Sequence, residues 1–305
     1  MSTTVASDTE ATKVASTLGT LSLTAEKSGE KGPSYLPYFD VNEKFPPTPI
    51  REFTDLGSRA DPKKPNLLGP ATSVRQISPY IGSEVRGVQL SQLSPAGLDE
   101  LALFVASIEI ARHFGPIQVH PTSGNIKDFP EFHVVYRDAD HNRFREYFGG
   151  NRVSKASWHS DVAYEKQRPG TTLFRILDIP ERTTVAKRSS SRLSPEFQKR
   201  LEVLRAVNSV VEQNEYSRER GGPMRRESEH PVVRVQPVTG EKALYVNQGF
   251  TRRIVGLKQE ESDWLLKFLF DHLENGSDFQ VRASYEPATV VVWDNRVTAE
   301  VPIPA

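Results

Sequence analysis

His159 and Asp161 stand two residues apart in the stretch SWHSDV, residues 157–162. On an extended strand, side chains two apart point to the same side, so an imidazole and a carboxylate would converge on one point. Such a pair supplies two thirds of the 2-His-1-carboxylate facial set. That set holds Fe(II) on one face and leaves the other open to a bidentate co-substrate and dioxygen. A single strand cannot provide three facial ligands, so a second histidine from a distant strand is required. The plain alternative is a surface strand whose His and Asp hydrogen-bond to each other, because an HxD pair occurs by chance in many chains. The chain contains no cysteine, which excludes disulfides and thiolate zinc sites and leaves His, Asp and Glu as the metal ligands available.

The elements that must position these residues read as mainly β. The stretch SVRQISPYIGSEVRGVQLSQLS alternates in short segments broken by Gly82 and Gly87, which predicts strands. Ser94 and Pro95 start a helix that places Leu98, Leu101, Val105 and Ile108 on one face and stops at Gly115. EFHVVYRD, SWHSDVAY and GTTLFRILDIP read as strand and loop, and RLSPEFQKRLEVLRAV as a helix from Ser194 and Pro195. HPVVRVQPVTGEKALYVN predicts a hairpin turning at Pro237, Thr239 and Gly240. LKQEESDWLLKFLFDHLENG predicts a helix with acids in its first turn, Trp264, Leu265, Phe268 and Leu269 on its apolar side, and Gly276 as its stop. FQVRASYEPATVVVWDNRVT reads as two strands around a turn at Glu286 and Pro287. Many strands and few intervening helices argue for a sandwich or jelly roll over a parallel α/β sheet.

At 305 residues the chain holds one large domain or two small ones. Its 39 basic and 39 acidic side chains balance, which suggests neither a nucleic-acid footprint nor a basic membrane patch. No apolar run approaches the roughly 20 residues that span a bilayer. The N-terminus lacks the basic start and apolar core of a secretory signal, so a soluble, cytoplasmic protein is expected. Residues 1–34, rich in Ser, Thr and charge, read as a disordered tail, and residues 35–72, with FPPTPI and DPKKPNLLGP, as a proline-rich arm over a core domain of residues 73–305.

ASWHSDVAYEKQRPGTTLFRILDIPE resembles the TauD-type Fe(II)/2-oxoglutarate-dependent oxygenases, most closely their fungal sulfonate dioxygenase branch. ISPYIGSEVRGVQLSQLSPAGLDELAL, ARHFGPIQVHPTSG, FPEFHVVYRD, RLSPEFQKRL, EHPVVRVQPVTGEKALYVNQGFTRRIVGL and VVVWDNRVT extend the resemblance over most of residues 74–299, in the family's order. It implies a double-stranded β-helix (jelly roll), iron bound by His159 and Asp161, and 2-oxoglutarate as co-substrate. It also implies oxidation of an alkylsulfonate such as taurine at the carbon bearing sulfur, with collapse to sulfite and an aldehyde. His120 stands at the family's substrate-side histidine, which donates to a sulfonate oxygen; its plain reading is a turn residue before Pro121. Small-molecule partners are expected, without nucleic acid or membrane, and a homo-oligomer is compatible with the sequence.

Three departures accompany the resemblance. The family's second histidine ligand follows WDNRVT by two residues, and Glu300 occupies that position, five residues before Ala305. The family's next strand, its 2-oxoglutarate arginine and its substrate arginine do not follow, and bidentate Arg–carboxylate pairing is what fixes such a co-substrate. After Pro180 the family's threonine turn is replaced by ERTTVAKRSSS, with Ala186 at the threonine's place and Thr183 or Thr184 nearby. Near Val105 a strand and loop of the family are missing, and FVASIEIARHFG reads as one long helix. Abrupt breaks between close matches are expected of a truncated or mis-spliced gene, so the jelly roll is expected to be incomplete.

One His with two carboxylates can hold Fe(II) or Mn(II), which accept oxygen donors; against this, Glu300 is expected in a frayed, solvated C-terminus. Ser123 replaces a family tyrosine, which puts taurine itself in doubt, and Lys155 reads as solvated. His113, His133, His141, His230 and His272 read as structural or surface residues, Trp293 as core, and Asp294, Asn295 and Arg296 as fixing a tight turn. Two functions follow: a sulfonate dioxygenase, or a catalytically inactive scaffold of the same family lacking the second iron histidine and the 2-oxoglutarate arginine. A chain that folds poorly for want of strands is the third outcome.

Overall fold

Short β-rich runs bounded by Gly, Pro and Asn fold as strands whose partners are mostly far away in sequence. The computed structural model describes residues 49–52, 54–77, 81–104, 117–121, 125–134, 158–175, 182–187, 192–210, 227–283 and 289–303. In chain order the strands are β1 (Ser73–Gln76), β2 (Ser83–Arg86), β3 (Asn125–Ile126), β4 (Phe129–His133), β5 (Thr171–Arg175), β6 (Arg182–Lys187), β7 (Arg205–Ser209), β8 (Glu227–Pro231), β9 (Val233–Val235), β10 (Lys242–Leu244), β11 (Thr251–Ile254), β12 (Gln280–Ala283), β13 (Val290–Asp294) and β14 (Thr298–Ile303). All pairings among them are antiparallel. The architecture is mainly β with a few flanking helices, as the sequence predicts.

Two three-stranded sheets, β11-β7-β8 and β12-β6-β14, carry the largest pairings, and β13 pairs with β5. The expected hairpin of β12 with β13 does not form. β12 instead runs along β6, and β13 along β5 from Val290 opposite Arg175 to Asp294 opposite Thr171. The reason is edge closure: β6 would expose two unpaired edges, and β12 and β14 cover one each.

Helices begin where the sequence predicts. The Ser94 hydroxyl accepts from the Gly97 N–H at 3.1 Å, at the start of the helix Pro95–Phe104. Its predicted continuation to Gly115, with Val105 and Ile108, lies outside the described residues, as do residues 1–34. Ser194 stands at the N-cap position of the helix Pro195–Glu202, where its carbonyl accepts from the Gln198 N–H at 3.0 Å. In the helix Gln259–Asn275, Glu261 reaches back to accept from the Lys258 N–H at 2.9 Å, and Gly276 follows its last residue. Leu265, Leu266, Leu269 and Leu273 of this helix pack on Ala206, Val232, Val233, Leu244, Val246 and Ile254. The apolar face is therefore rotated from the predicted one. Trp264 and Phe268 are exposed, at 68% and 40%, and stack on each other at 6.3 Å. Four leucines spaced i, i+1, i+4 and i+8 bury more branched apolar surface than a stripe through Trp264, and they set the helix's roll.

The 35–72 stretch makes specific contacts to the residues after it. Buried Glu100 accepts from Asn66 Nδ2 at 2.6 Å and from the Leu67 N–H at 2.8 Å, and Asp55 Oδ2 meets Arg296 NH1 at 2.6 Å. The hairpin β9–β10 turns where predicted: Gly240 adopts φ +70°, and Gln236 Oε1 accepts from the N–H groups of Val238 and Thr239. Among the described residues, no helix is long and apolar enough to cross a membrane.

Candidate metal centre

The site rests on alternation along two short segments. In β14, Ala299 and Val301 turn into a core cluster with Trp158 and Phe279, so Glu300, between them, faces the other way. Trp158 turns into the same cluster, which sends His159 to the side that Glu300 faces. The two backbones then lock: the His159 N–H donates to Glu300 O at 3.0 Å and the Glu300 N–H to His159 O at 2.8 Å, an antiparallel bridge that joins β14 to a residue outside the named strands. Directly opposite residues of such a pair carry their side chains on the same face, about 5 Å apart at Cβ.

Glu300 is therefore neither frayed nor solvated, contrary to the expectation from its place near the end of the sequence. β14 is held by β6 in unbroken register, with Glu300 opposite Val185 and Ala299 opposite Ala186. The Glu300 side chain is only 15% exposed. Strand pairing on one side and the His159 bridge on the other restrain it more strongly than proximity to Ala305 frees it.

Asp161 is delivered by a turn and not by a continued strand. Val162 adopts φ +50°, and the chain turns on to Glu165, whose N–H donates to Val162 O. Asn295, fully buried, fixes the carboxylate's backbone on both sides: the Asp161 N–H donates to Asn295 Oδ1 and Asn295 Nδ2 donates to Asp161 O, each at 2.9 Å. Ser160 Oγ donates to Thr298 O at 2.8 Å. Asp294 Oδ1 and Oδ2 each accept at 2.8 Å from Arg296 Nε and NH2. The predicted tight turn at Asp294, Asn295 and Arg296 thus exists, and its product is the placement of Asp161. Trp293 is core, as expected.

His159 Nε2 lies 3.8 Å from Asp161 Oδ1 and 3.6 Å from Glu300 Oε1. One ligand atom from each of the three falls within 4.8 Å of the others, a spacing that a single cation could bridge. Burial, then Asp161's charge and its hydrogen bond, hold the Glu300 carboxyl well above the usual carboxylate range. Asp161 Oδ2 is buried and has no hydrogen-bond partner among the described residues. Two facing carboxylates, one with an orphaned oxygen, beside an imidazole form a donor set that suits a divalent cation. Phe250 closes one side, edge-on to the His159 ring at 6.2 Å, backed by Val162, Ala163, Tyr164, Val210 and Tyr245.

His120 and His133 are neighbours, with ring centroids 4.5 Å apart. Burial, then the charges of His133 and His159, push the His120 imidazole well below its ordinary value. His120 is the histidine that the sequence singles out; His133, expected to be structural or at the surface, sits on the β3–β4 hairpin, and the proximity of the two rings has no local signature. His230 is a buried strand residue, its Nε2 at 2.9 Å from both Ser228 Oγ and Glu165 O, and His272 lies on the helix Gln259–Asn275. His113, Ser123, His141 and Lys155 lie outside the described residues, and so do the side chains of Thr183, Thr184 and Ala186.

Against known proteins, the model of the taurine catabolism dioxygenase TauD, TfdA family matches residues 73–299. The α-ketoglutarate-dependent dioxygenase cnsM of Penicillium expansum is 44% identical over 91% of this chain and 86% of its own. The α-ketoglutarate-dependent sulfonate dioxygenase of Saccharomyces cerevisiae is 39% identical over 89% and 73%. Among solved structures, a taurine dioxygenase from Burkholderia xenovorans superposes with a TM-score of 0.57 at 27% identity, covering 76% of this chain and 82% of that one.

Proposed function

The chain belongs to the TauD, TfdA family of taurine catabolism dioxygenases, and on that premise we propose that it is an Fe(II)- and 2-oxoglutarate-dependent dioxygenase acting on a small sulfonate. Its strands are then the chain's share of a jelly-roll, double-stranded β-helix. The sulfonate is oxidised at the carbon bearing sulfur, and the hydroxylated product collapses to sulfite and an aldehyde. The observation that carries the reading is the convergence of His159, Asp161 and Glu300, one ligand atom from each within 4.8 Å of the others, within a chain similar to sulfonate dioxygenases.

When bound, the iron supplies dioxygen activation coupled to decarboxylation of 2-oxoglutarate. The chain's own residues do the rest. His159 and Asp161 donate to the metal, held at their spacing by the Glu300 bridge and by Asn295. Phe250 and the apolar cluster behind it keep water from that side, which strengthens the electrostatics of the donor set. His120, kept neutral by burial, offers an N–H to a sulfonate oxygen and contributes no full charge.

The test is turnover under air with Fe(II), 2-oxoglutarate and a panel of short alkylsulfonates, reading succinate and sulfite. Equimolar release of both, abolished in Asp161→Ala, is the expected result. Metal uptake with neither product would instead make the chain a metal-binding scaffold.

A further inference from the structure

The family's site takes two histidines and one carboxylate, yet among the described residues the third that reaches His159 and Asp161 is Glu300. We infer that Glu300 is itself a metal donor, so that this centre binds a divalent cation through one imidazole and two carboxylates and prefers oxygen-seeking ions. The inference rests on the metal reading given above and goes beyond it by assigning the third donor and the selectivity.

Three observations carry it. The His159–Glu300 bridge fixes the Glu300 backbone by hydrogen bonds at 3.0 and 2.8 Å and starts its side chain on the face that carries His159. Glu300 Oε1 is as near to His159 Nε2, at 3.6 Å, as is Asp161 Oδ1, at 3.8 Å, and one ligand atom from each of the three lies within 4.8 Å of the others, within reach of one ion. Asp161 Oδ2 is buried and lacks a hydrogen-bond partner among the described residues, so one donor oxygen of the cluster is left open. A carboxylate turned into solvent or paired with a cationic side chain would not show this set.

Two chemical consequences follow. Exchanging an imidazole for a carboxylate replaces a borderline nitrogen donor with a hard oxygen. Imidazole affinity climbs steeply from Mn(II) to Ni(II), while carboxylate affinity climbs little. The centre therefore discriminates weakly against Mn(II), and Ni(II) gains less over Mn(II) than it does at a two-histidine site. Two carboxylates also cancel the charge of a divalent ion, so a dianionic 2-oxoacid meets a neutral centre and binds more weakly than it would beside one carboxylate.

The experiment is anaerobic calorimetric titration of the full-length chain, its Glu300→Gln variant and its Glu300→His variant with Mn(II) and with Ni(II), followed by 2-oxoglutarate. The wild-type chain is expected to take one ion. Glu300→Gln should bind Mn(II) at least about tenfold more weakly. Glu300→His should raise the Ni(II)-to-Mn(II) affinity ratio by about tenfold or more and tighten 2-oxoglutarate. Equal Mn(II) affinity in the wild type and Glu300→Gln overturns the inference while leaving the metal site standing. A wild-type chain that takes neither ion overturns the metal reading itself. Should Glu300→Gln fail to fold by circular dichroism, the Glu300→His ratio decides alone, and an unchanged ratio overturns the inference.

Discussion

His159 and Glu300, 141 positions apart in the sequence, exchange both of their backbone hydrogen bonds and bring Nε2 to 3.6 Å from Oε1. That one bridge couples the C-terminal strand to the turn that carries Asp161. A donor set is thereby built from two short segments that are each, alone, too short to order their side chains.

Removing the Glu300 charge should stabilise the metal-free protein. Its carboxyl is buried against Asp161, so two acids occupy a site with room for one negative charge. Glu300→Gln, of nearly equal volume, is expected to raise the melting temperature without metal by a few degrees, the shift that ~1 kcal/mol produces in a chain of this size. The same substitution should shrink the additional stabilisation conferred by Mn(II). Scanning calorimetry with and without metal checks both.

Asn295 makes a second, separable prediction. Asn295→Ala orphans the Asp161 N–H and C=O, both served at 2.9 Å. Two unpaired backbone groups cost about 2–4 kcal/mol, to be read by urea denaturation. Metal affinity should fall as well, because Asp161 loses its backbone anchor. Asn295→Asp keeps the acceptor for the Asp161 N–H but turns a buried carboxylate oxygen onto the Asp161 and Pro169 carbonyls, and should cost at least as much.

The link from Asp55 to Arg296 can be cut without touching the donor set. Arg296 NH1 meets Asp55 Oδ2 at 2.6 Å while its Nε and NH2 stay on Asp294. Asp55→Ala should leave the turn intact, cost about 3 kcal/mol because it breaks a mostly buried ion pair and the cap on the Gly57 N–H, and speed trypsin cleavage at the flanking Arg51 and Arg59. Faster cleavage at those two arginines, with unchanged metal affinity, is the expected pattern.

His230 predicts a pH dependence. Burial is the main cause that lowers its imidazole below the ordinary 6.5. The ring faces Ser228, the Glu165 carbonyl and Arg234, and none of these offers a negative charge for a protonated ring. A depressed folded value means that the unfolded chain binds the proton first. His230 therefore contributes its full stability above about 6.5 and loses it as the pH falls from there toward the folded value. Denaturation midpoints should decline over that window, and His230→Gln should flatten the slope.

Much of this was legible in the sequence, and the rest was hidden for physical reasons. Ser94–Pro95, Ser194–Pro195, Gly240 and Gly276 mark element ends by local chemistry, and the structure uses all four as expected. The HxD spacing marks His159 and Asp161, and the chain turns at Val162 directly after them instead of continuing as a strand. Strand partnership was the weak point. Nothing local in residues 280–299 says that β12 belongs to β6 and β13 to β5, because pairing across a hundred residues is decided by which edges remain open. The ordering of Glu300 is hidden for the same reason, since it comes from β6 and His159 and not from its neighbours in sequence.

The central claim is that His159, Asp161 and Glu300 form one metal centre able to take 2-oxoglutarate. The most direct measurement is anaerobic addition of Fe(II) and then 2-oxoglutarate to the full-length chain, followed by visible absorption. The account predicts a metal-to-ligand charge-transfer band that saturates at one iron per chain and is lost in Asp161→Ala. Absence of the band at saturating iron and 2-oxoglutarate, or its persistence in Asp161→Ala, would contradict it.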